Sequence, residues 1–311
     1  MGRRIVILDE VELSDDQLRR LEGLGQVVRH TSNPASDREV VRRLDGAEVA
    51  ILGWTALGRR ILSQLPGLRL IAVWATGYDY VDVAAANDQG IVVTNVPAYA
   101  GRAVAELTIG LVLALARHIV PADRSVRDGR FSWRAFQGTE LAGKVLGVVG
   151  VGDIGREVAR LGACLGMEVL GHARRVSAER ATQLGVELLP LHELLHRSNV
   201  VSVHVPLTAQ THHLLGREEL ATMRPGAFLV NTARAGVVDQ SALVEALRTG
   251  HLGGAALDDH DHPAPAVAAL PNVLLTPHIG FCTAEALIRK GDACIDNVAA
   301  FLAGKPRNVV S

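Results

Sequence analysis

The chain has 311 residues, 48% apolar and 21% charged, with a formal net charge of −1. That composition excludes a disordered chain, and the length exceeds what one typical core needs and suffices for two. The absence of a basic excess argues against a nucleic-acid partner, and the longest apolar run, Ile109–Ala116, falls far short of a membrane span.

In chain order, the N-terminal run Met1-Gly2-Arg3-Arg4-Ile5-Val6-Ile7-Leu8-Asp9, with its apolar part at Ile5–Leu8, reads as a first strand rather than a secretory leader. Short β-branched runs follow at Val49–Leu52, Leu70–Val73 and Ile91–Thr94. Amphipathic segments, Asp15–Leu24 and Asp37–Leu44, lie between them, and Ser14 is placed to cap the first. The alternation predicts parallel βαβ units with helices on both faces of the sheet. After Pro97, the spacing predicts one long helix from about Arg102 to Ile119, apolar on most faces and therefore buried. The more polar stretch Pro121–Thr139, with Trp133 and Phe136, reads either as an arm that packs on a second subunit or as a plain loop.

A second series begins at Lys144. Strands are expected at Lys144–Val149, Glu168–Gly171, Val200–Val205, Ala227–Asn231, Gly254–Leu257 and Val273–Thr276, which fits a complete doubly wound nucleotide-binding sheet. A final helix is expected over Ala284–Leu302, stopped by Gly304 and Pro306. The three cysteines, Cys164, Cys282 and Cys294, form no C-x-x-C pair and read as structural thiols of a reducing, cytoplasmic compartment.

Gly150-Val151-Gly152-Asp153-Ile154-Gly155 directly follows a strand and opens the helix expected over Arg156–Leu165. The first glycine permits the tight turn, the second a close approach to a pyrophosphate, and the third close packing of helix on strand. Helix N-terminal N–H groups then meet the phosphate charge. The second strand ends His172-Ala173-Arg174-Arg175, with Ala173 where an NAD site carries a carboxylate for the ribose 2′-hydroxyl. An arginine pair binds a 2′-phosphate that a carboxylate repels, so the residues favour NADP(H). The alternative is that Arg174 and Arg175 are solvated loop charges and NAD(H) binds without that ribose contact.

Four further motifs complete the pattern: Thr76-Gly77-Tyr78-Asp79, His204-Val205-Pro206-Leu207-Thr208, Asn231-Thr232-Ala233-Arg234-Ala235-Gly236, and Thr276-Pro277-His278-Ile279-Gly280. With the glycine loop, and in this order along nearly the whole chain, they resemble the D-isomer-specific 2-hydroxyacid dehydrogenase family. Thr76–Asp79 with Asn95-Val96-Pro97-Ala98-Tyr99 is most similar to its glycerate dehydrogenase and hydroxypyruvate/glyoxylate reductase branch.

The resemblance implies an α/β protein of two doubly wound parallel-sheet domains. A Rossmann domain, 99–283, is inserted into a flavodoxin-like substrate domain, 1–98 with 284–311. It implies a homodimer with a small 2-oxoacid substrate. Arg234 then grips the substrate carboxylate and polarises the keto oxygen, and His278 exchanges the proton. Thr76 and Gly77 offer backbone N–H groups to the carboxylate. Alongside the glycine loop and residues 173–175, the positions implied to contact the cofactor are Val205, Pro206, Thr211, Thr232, Ala233, Asp258, His278 and Gly280.

One departure stands out. Relatives carry a glutamate just before a proline to orient the histidine, whereas this chain reads Asp258-Asp259-His260-Asp261-His262-Pro263. Asp261 is the carboxylate available to substitute, and His262 the alternative occupant of that slot. No metal site is expected from this run, because ligands two residues apart in a loop need a distant partner to converge. Two other readings remain open: a dehydrogenase for a specialised biosynthetic 2-oxoacid, and a non-enzymatic dinucleotide sensor of the corepressor kind.

Overall fold

The computed structural model describes residues 3–174, 186–258 and 265–310. The chain divides into two compact units, one of residues up to Tyr99 together with those from Cys282 onward, the other Ala100–Phe281.

The first unit is a five-stranded parallel sheet of β1 (Arg4–Ile7), β2 (Gln26–Arg29), β3 (Val49–Leu52), β4 (Leu70–Val73) and β5 (Val92–Thr94), ordered β2-β1-β3-β4-β5. β3 and β4 are buried on both faces, which is why they read as continuous apolar runs. β2, Gln-Val-Val-Arg, is an edge strand with exposed ends and carried no such signal in the sequence. Ser14 caps the helix Asp15–Glu22 through a reciprocal bond with Gln17. The helix Ala284–Leu302, capped by Thr283, closes the same unit. Gln17 fastens it by donating to the Ile288 carbonyl at 3.0 Å, and Arg20 pairs with Asp292 and Asp296 at 2.6 and 2.7 Å.

The second unit is a seven-stranded parallel sheet. Its strands are β6 (Val145–Val149), β7 (Glu168–His172), β8 (Glu187–Leu188), β9 (Val200–Val203), β10 (Ala227–Asn231), β11 (Leu252–Leu257) and β12 (Val273–Leu275). The order β12-β11-β10-β9-β6-β7-β8 reverses direction between β6 and β9 and so creates a switch point there. Six strands were expected; the seventh, β8, is a two-residue edge too short to leave a pattern.

Two further expectations are corrected here. The single long helix is two, Gly101–Ala116 and Ile119–Arg127, bent by 63°. His118 adopts a left-handed backbone (φ 51°) at the break and ends the first helix. The Pro121–Thr139 stretch is therefore not a plain loop. It begins inside the second helix, where Pro121 lies in the first turn and interrupts no hydrogen bond, and it contains a 3₁₀ turn at Arg134–Phe136. Phe131 and Trp133 on it are 93% and 75% exposed.

Candidate active site

The glycine loop leaves β6 at the switch point. The helix after it starts at Asp153 rather than Arg156, with Gly152 as its N-cap, so the helix N-terminus stands on the loop itself. Gly150 has φ 97°, and a β-carbon there would stand 2.7 Å from the His204 carbonyl oxygen and 2.8 Å from Val205 Cγ1. A β-carbon at Gly155 would collide with the Gly150 carbonyl, whereas the space beside Gly152 is open. This cradle fits a dinucleotide pyrophosphate: the backbone is open beside Gly152, and the N-terminus of the helix Asp153–Cys164 borders it. Ile154 packs against the core, and the exposed Asp153 carboxylate pairs with Arg156 at 2.6 Å.

The neighbouring loop, after β9, is braced by side-chain hydrogen bonds. His204 is half-buried with its Nδ1 shielded from solvent, its Nε2 lies 2.7 Å from Ser202 Oγ, and desolvation pushes its pKa down to about 3, so the ring is neutral. Thr211 Oγ1 donates to the Pro206 carbonyl and accepts from Thr208 N. At the end of β7, His172 Nδ1 lies 3.0 Å from the Leu189 carbonyl; Ala173 is half-buried and Arg174 exposed. Arg175 lies outside the described residues.

The chemistry-bearing residues follow three adjacent strands. After β10, Asn231 organises the turn: its Oδ1 accepts from Ala233 N at 3.0 Å and its Nδ2 donates to the Arg234 carbonyl at 2.9 Å. Arg234, half-buried, donates from Nη1 to the Ala233 carbonyl, and Thr232 Oγ1 lies 3.0 Å from Thr108 Oγ1. After β11 comes Asp258, 2% exposed. After β12 comes His278, half-buried, with φ 54° and its ring edge-on to Phe281 at 5.8 Å between centroids. The Asp258 carboxylate accepts from Thr276 Oγ1, from Ile279 N at 3.0 Å and from Gly280 N at 2.7 Å. It thereby holds the backbone on both sides of His278. Asn231 escaped notice as a site-building residue, although its place at a strand end directly before Thr-Ala-Arg is the signal of an Asx turn.

In the first unit, Thr76 Oγ1 donates to the Val96 carbonyl at 2.7 Å and Asn95 Nδ2 donates to the Thr76 carbonyl at 2.8 Å, so the Thr76–Gly77 turn is braced by the segment after β5. Asp261, His262 and the rest of that acidic run lie outside the described residues. Among the described residues, no group of three His, Cys, Asp or Glu side chains is arranged to hold a metal.

Residues 109–280 match the family model of the D-isomer specific 2-hydroxyacid dehydrogenase NAD binding domain. Over its whole length the chain is 39% identical to a glycerate dehydrogenase of Methylorubrum extorquens, covering 99% of that protein. It is 42% identical to a glyoxylate reductase of Aeropyrum pernix, over 81% of this chain and 78% of that one. A solved acyclic imino acid reductase, in complex with NADPH and D-Arg, superposes with a TM-score of 0.92 at 30% identity, over 99% of this chain and 100% of that one. These relatives are enzymes, which decides against the non-enzymatic sensor. The chain belongs to the D-isomer-specific 2-hydroxyacid dehydrogenase family, in its glycerate dehydrogenase and glyoxylate reductase branch, and is a nicotinamide-dependent oxidoreductase of small 2-hydroxy acids.

Proposed function

We propose that this enzyme is an NADP(H)-preferring reductase of glyoxylate- or hydroxypyruvate-like 2-oxoacids, acting in the cytoplasm as a homodimer. The cofactor preference is carried by the end of β7, where Ala173 offers a methyl group and Arg174 an exposed guanidinium. A 2′-phosphate meets no repelling carboxylate there and finds charge-assisted hydrogen bonds from Arg174 and Arg175. The NADPH carried by the structurally similar imino acid reductase supports the same reading.

The nicotinamide supplies the hydride when bound. Arg234 grips the substrate carboxylate and stabilises negative charge as it develops on the keto oxygen. His278 delivers the proton to that oxygen in reduction and removes it in oxidation. Thr76 and Gly77 bind the carboxylate through backbone N–H groups. Asp261 orients the His278 imidazole. His262 is the alternative occupant of that slot.

Binding titrations test the cofactor assignment. NADPH is expected to bind at least about tenfold more tightly than NADH, with Arg174→Ala/Arg175→Ala narrowing the gap. Equal affinities in the unaltered enzyme contradict it. For the dimer, the exposed Ile119, Val120, Val126, Phe131 and Trp133 supply an apolar surface. A monomer mass by light scattering at micromolar concentration contradicts that assignment. Trp54, partly exposed on the turn after β3, favours as a second reading a bulkier, specialised 2-oxoacid. Turnover of such an acid with none of glyoxylate or hydroxypyruvate would establish it.

A further inference from the structure

Lys290 lies on the helix Ala284–Leu302, yet it is 2% exposed. Its ammonium stands 3.4 Å from the centroid of the Trp74 ring, 5.2 Å from that of Tyr99 and 6.0 Å from that of Trp54. Each ring belongs to a different segment around the Thr76–Gly77 turn. Trp54 is on the turn after β3. Trp74 directly follows β4, two residues before Thr76. Tyr99 follows the segment whose Val96 carbonyl accepts from Thr76 Oγ1.

The three segments also leave adjacent strands of one sheet, with Trp74 N donating to the Leu52 carbonyl at 2.8 Å and Val96 N to the Ala75 carbonyl at 2.9 Å. The buried Asp9 carboxylate accepts from Gly53 N, Trp54 N and Thr55 N at 2.8, 3.0 and 2.8 Å, and Tyr80 donates its hydroxyl to the Gly53 carbonyl at 2.8 Å. The Trp74 indole N–H has no hydrogen-bond partner among the described residues, so the ring enters the arrangement through its face. The lysine backbone is itself fixed. Gln17 grips Ile288, and Arg289 donates to the Tyr99 carbonyl at 3.0 Å, so consecutive residues hold the backbone and approach the ring of the same tyrosine. An apolar side chain would fill this volume at lower desolvation cost. The retained ammonium supplies what an apolar group lacks, attraction to several aromatic faces at once.

We propose that Lys290 is a positioning residue for the substrate turn: by engaging Trp54, Trp74 and Tyr99 together it sets the spacing of the three segments that frame Thr76 and Gly77, and through them the affinity for the 2-oxoacid carboxylate. The inference rests on the proposed role of Thr76 and Gly77. It sharpens that role by naming the group outside the turn that holds it in shape.

Burial lowers the Lys290 pKa to about 7, against the opposing pull of Cys294, Cys282, Asp9 and Glu12, so the ammonium is held at an expense in stability near neutral pH. A merely structural residue would lower the melting temperature when replaced. The expectation here is the reverse: Lys290→Met melts no lower than the unaltered enzyme at pH 7.

The experiment compares the unaltered enzyme, Lys290→Met and Lys290→Arg with glyoxylate and NADPH, and follows oxalate binding through tryptophan fluorescence. For Lys290→Met, the glyoxylate KM and oxalate Kd are expected to rise about tenfold, with kcat within about threefold and the NADPH KM unchanged. Lys290→Arg, which keeps a cation able to stack on the rings, is expected to recover most of the affinity. Unchanged glyoxylate KM and oxalate Kd in Lys290→Met overturn the proposal alone. A loss of kcat, NADPH affinity and melting temperature together also overturns it, since that is the signature of a general packing defect. Failure of the unaltered enzyme both to turn over glyoxylate and to bind oxalate overturns this proposal and the carboxylate role of the turn together.

Discussion

The Asp258 carboxylate accepts the backbone N–H of Gly280 at 2.7 Å, and a β-carbon on Gly280 would stand 2.8 Å from the same Asp258 oxygen. The two residues are fitted to each other across 22 positions of chain. With Thr276 and Ile279 as further donors, the contact fixes the backbone that carries His278 in its left-handed conformation. Asp258 is thus a carboxylate that holds the backbone carrying the histidine.

Asp258→Ala removes a buried acceptor and leaves its donors without a partner. A loss on the order of 3 kcal/mol in unfolding free energy is expected, with a fall in kcat of at least about a hundredfold. Gly280→Ala, which retains the carboxylate but displaces it, is expected to lower kcat by at least about tenfold at a smaller loss of stability. Chemical denaturation and steady-state kinetics read both. Wild-type kcat in Gly280→Ala would show that the close fit has no bearing on His278.

At Gly150, a side chain meets the His204 carbonyl and an unfavourable φ at the same time. Gly150→Ala is expected to weaken NADPH binding by at least about tenfold without changing the far-ultraviolet circular dichroism. Unaltered nucleotide affinity would contradict the assignment of the loop as the pyrophosphate cradle.

The depressed Lys290 pKa has a signed consequence for stability. Folding lowers it from 10.5 to about 7, so between these values the unfolded chain binds more protons than the folded one. Its destabilising contribution is complete below pH 7 and is relieved as pH rises toward 10.5, at up to about 1.4 kcal/mol per pH unit. Subtracting the pH dependence of Lys290→Met from that of the unaltered enzyme is expected to leave a gain of roughly 2–3 kcal/mol between pH 7 and pH 9. A difference that is flat, or that falls with pH, contradicts the burial of an ionisable amine at this position.

How far the sequence could be read depends on whether a feature is local. The buried strands Val49–Leu52 and Leu70–Val73 are continuous apolar runs, and the Ser14 cap lies directly before its helix, so both were readable. The edge strands Gln26–Arg29 and Glu187–Leu188 were not, one being half-exposed and polar at its ends, the other two residues long. The helix break at His118 was hidden because a histidine takes the left-handed position where glycine is the usual marker. Arg234 and His278 stood out through the short motifs around them. The Asp258–Gly280 fit and the setting of Lys290 join residues far apart in sequence, and a lysine on an amphipathic helix reads as a solvated charge until its neighbours are known.

The central claim is that Arg234 and His278 are the chemical machinery of 2-oxoacid reduction. The most direct measurement is single-turnover oxidation of NADPH by glyoxylate or hydroxypyruvate in the unaltered enzyme, Arg234→Ala and His278→Ala, each saturated with cofactor. The account predicts turnover in the unaltered enzyme and a loss of at least about a thousandfold in each variant with NADPH still bound. Either variant reducing the acid at a rate near that of the unaltered enzyme would contradict it.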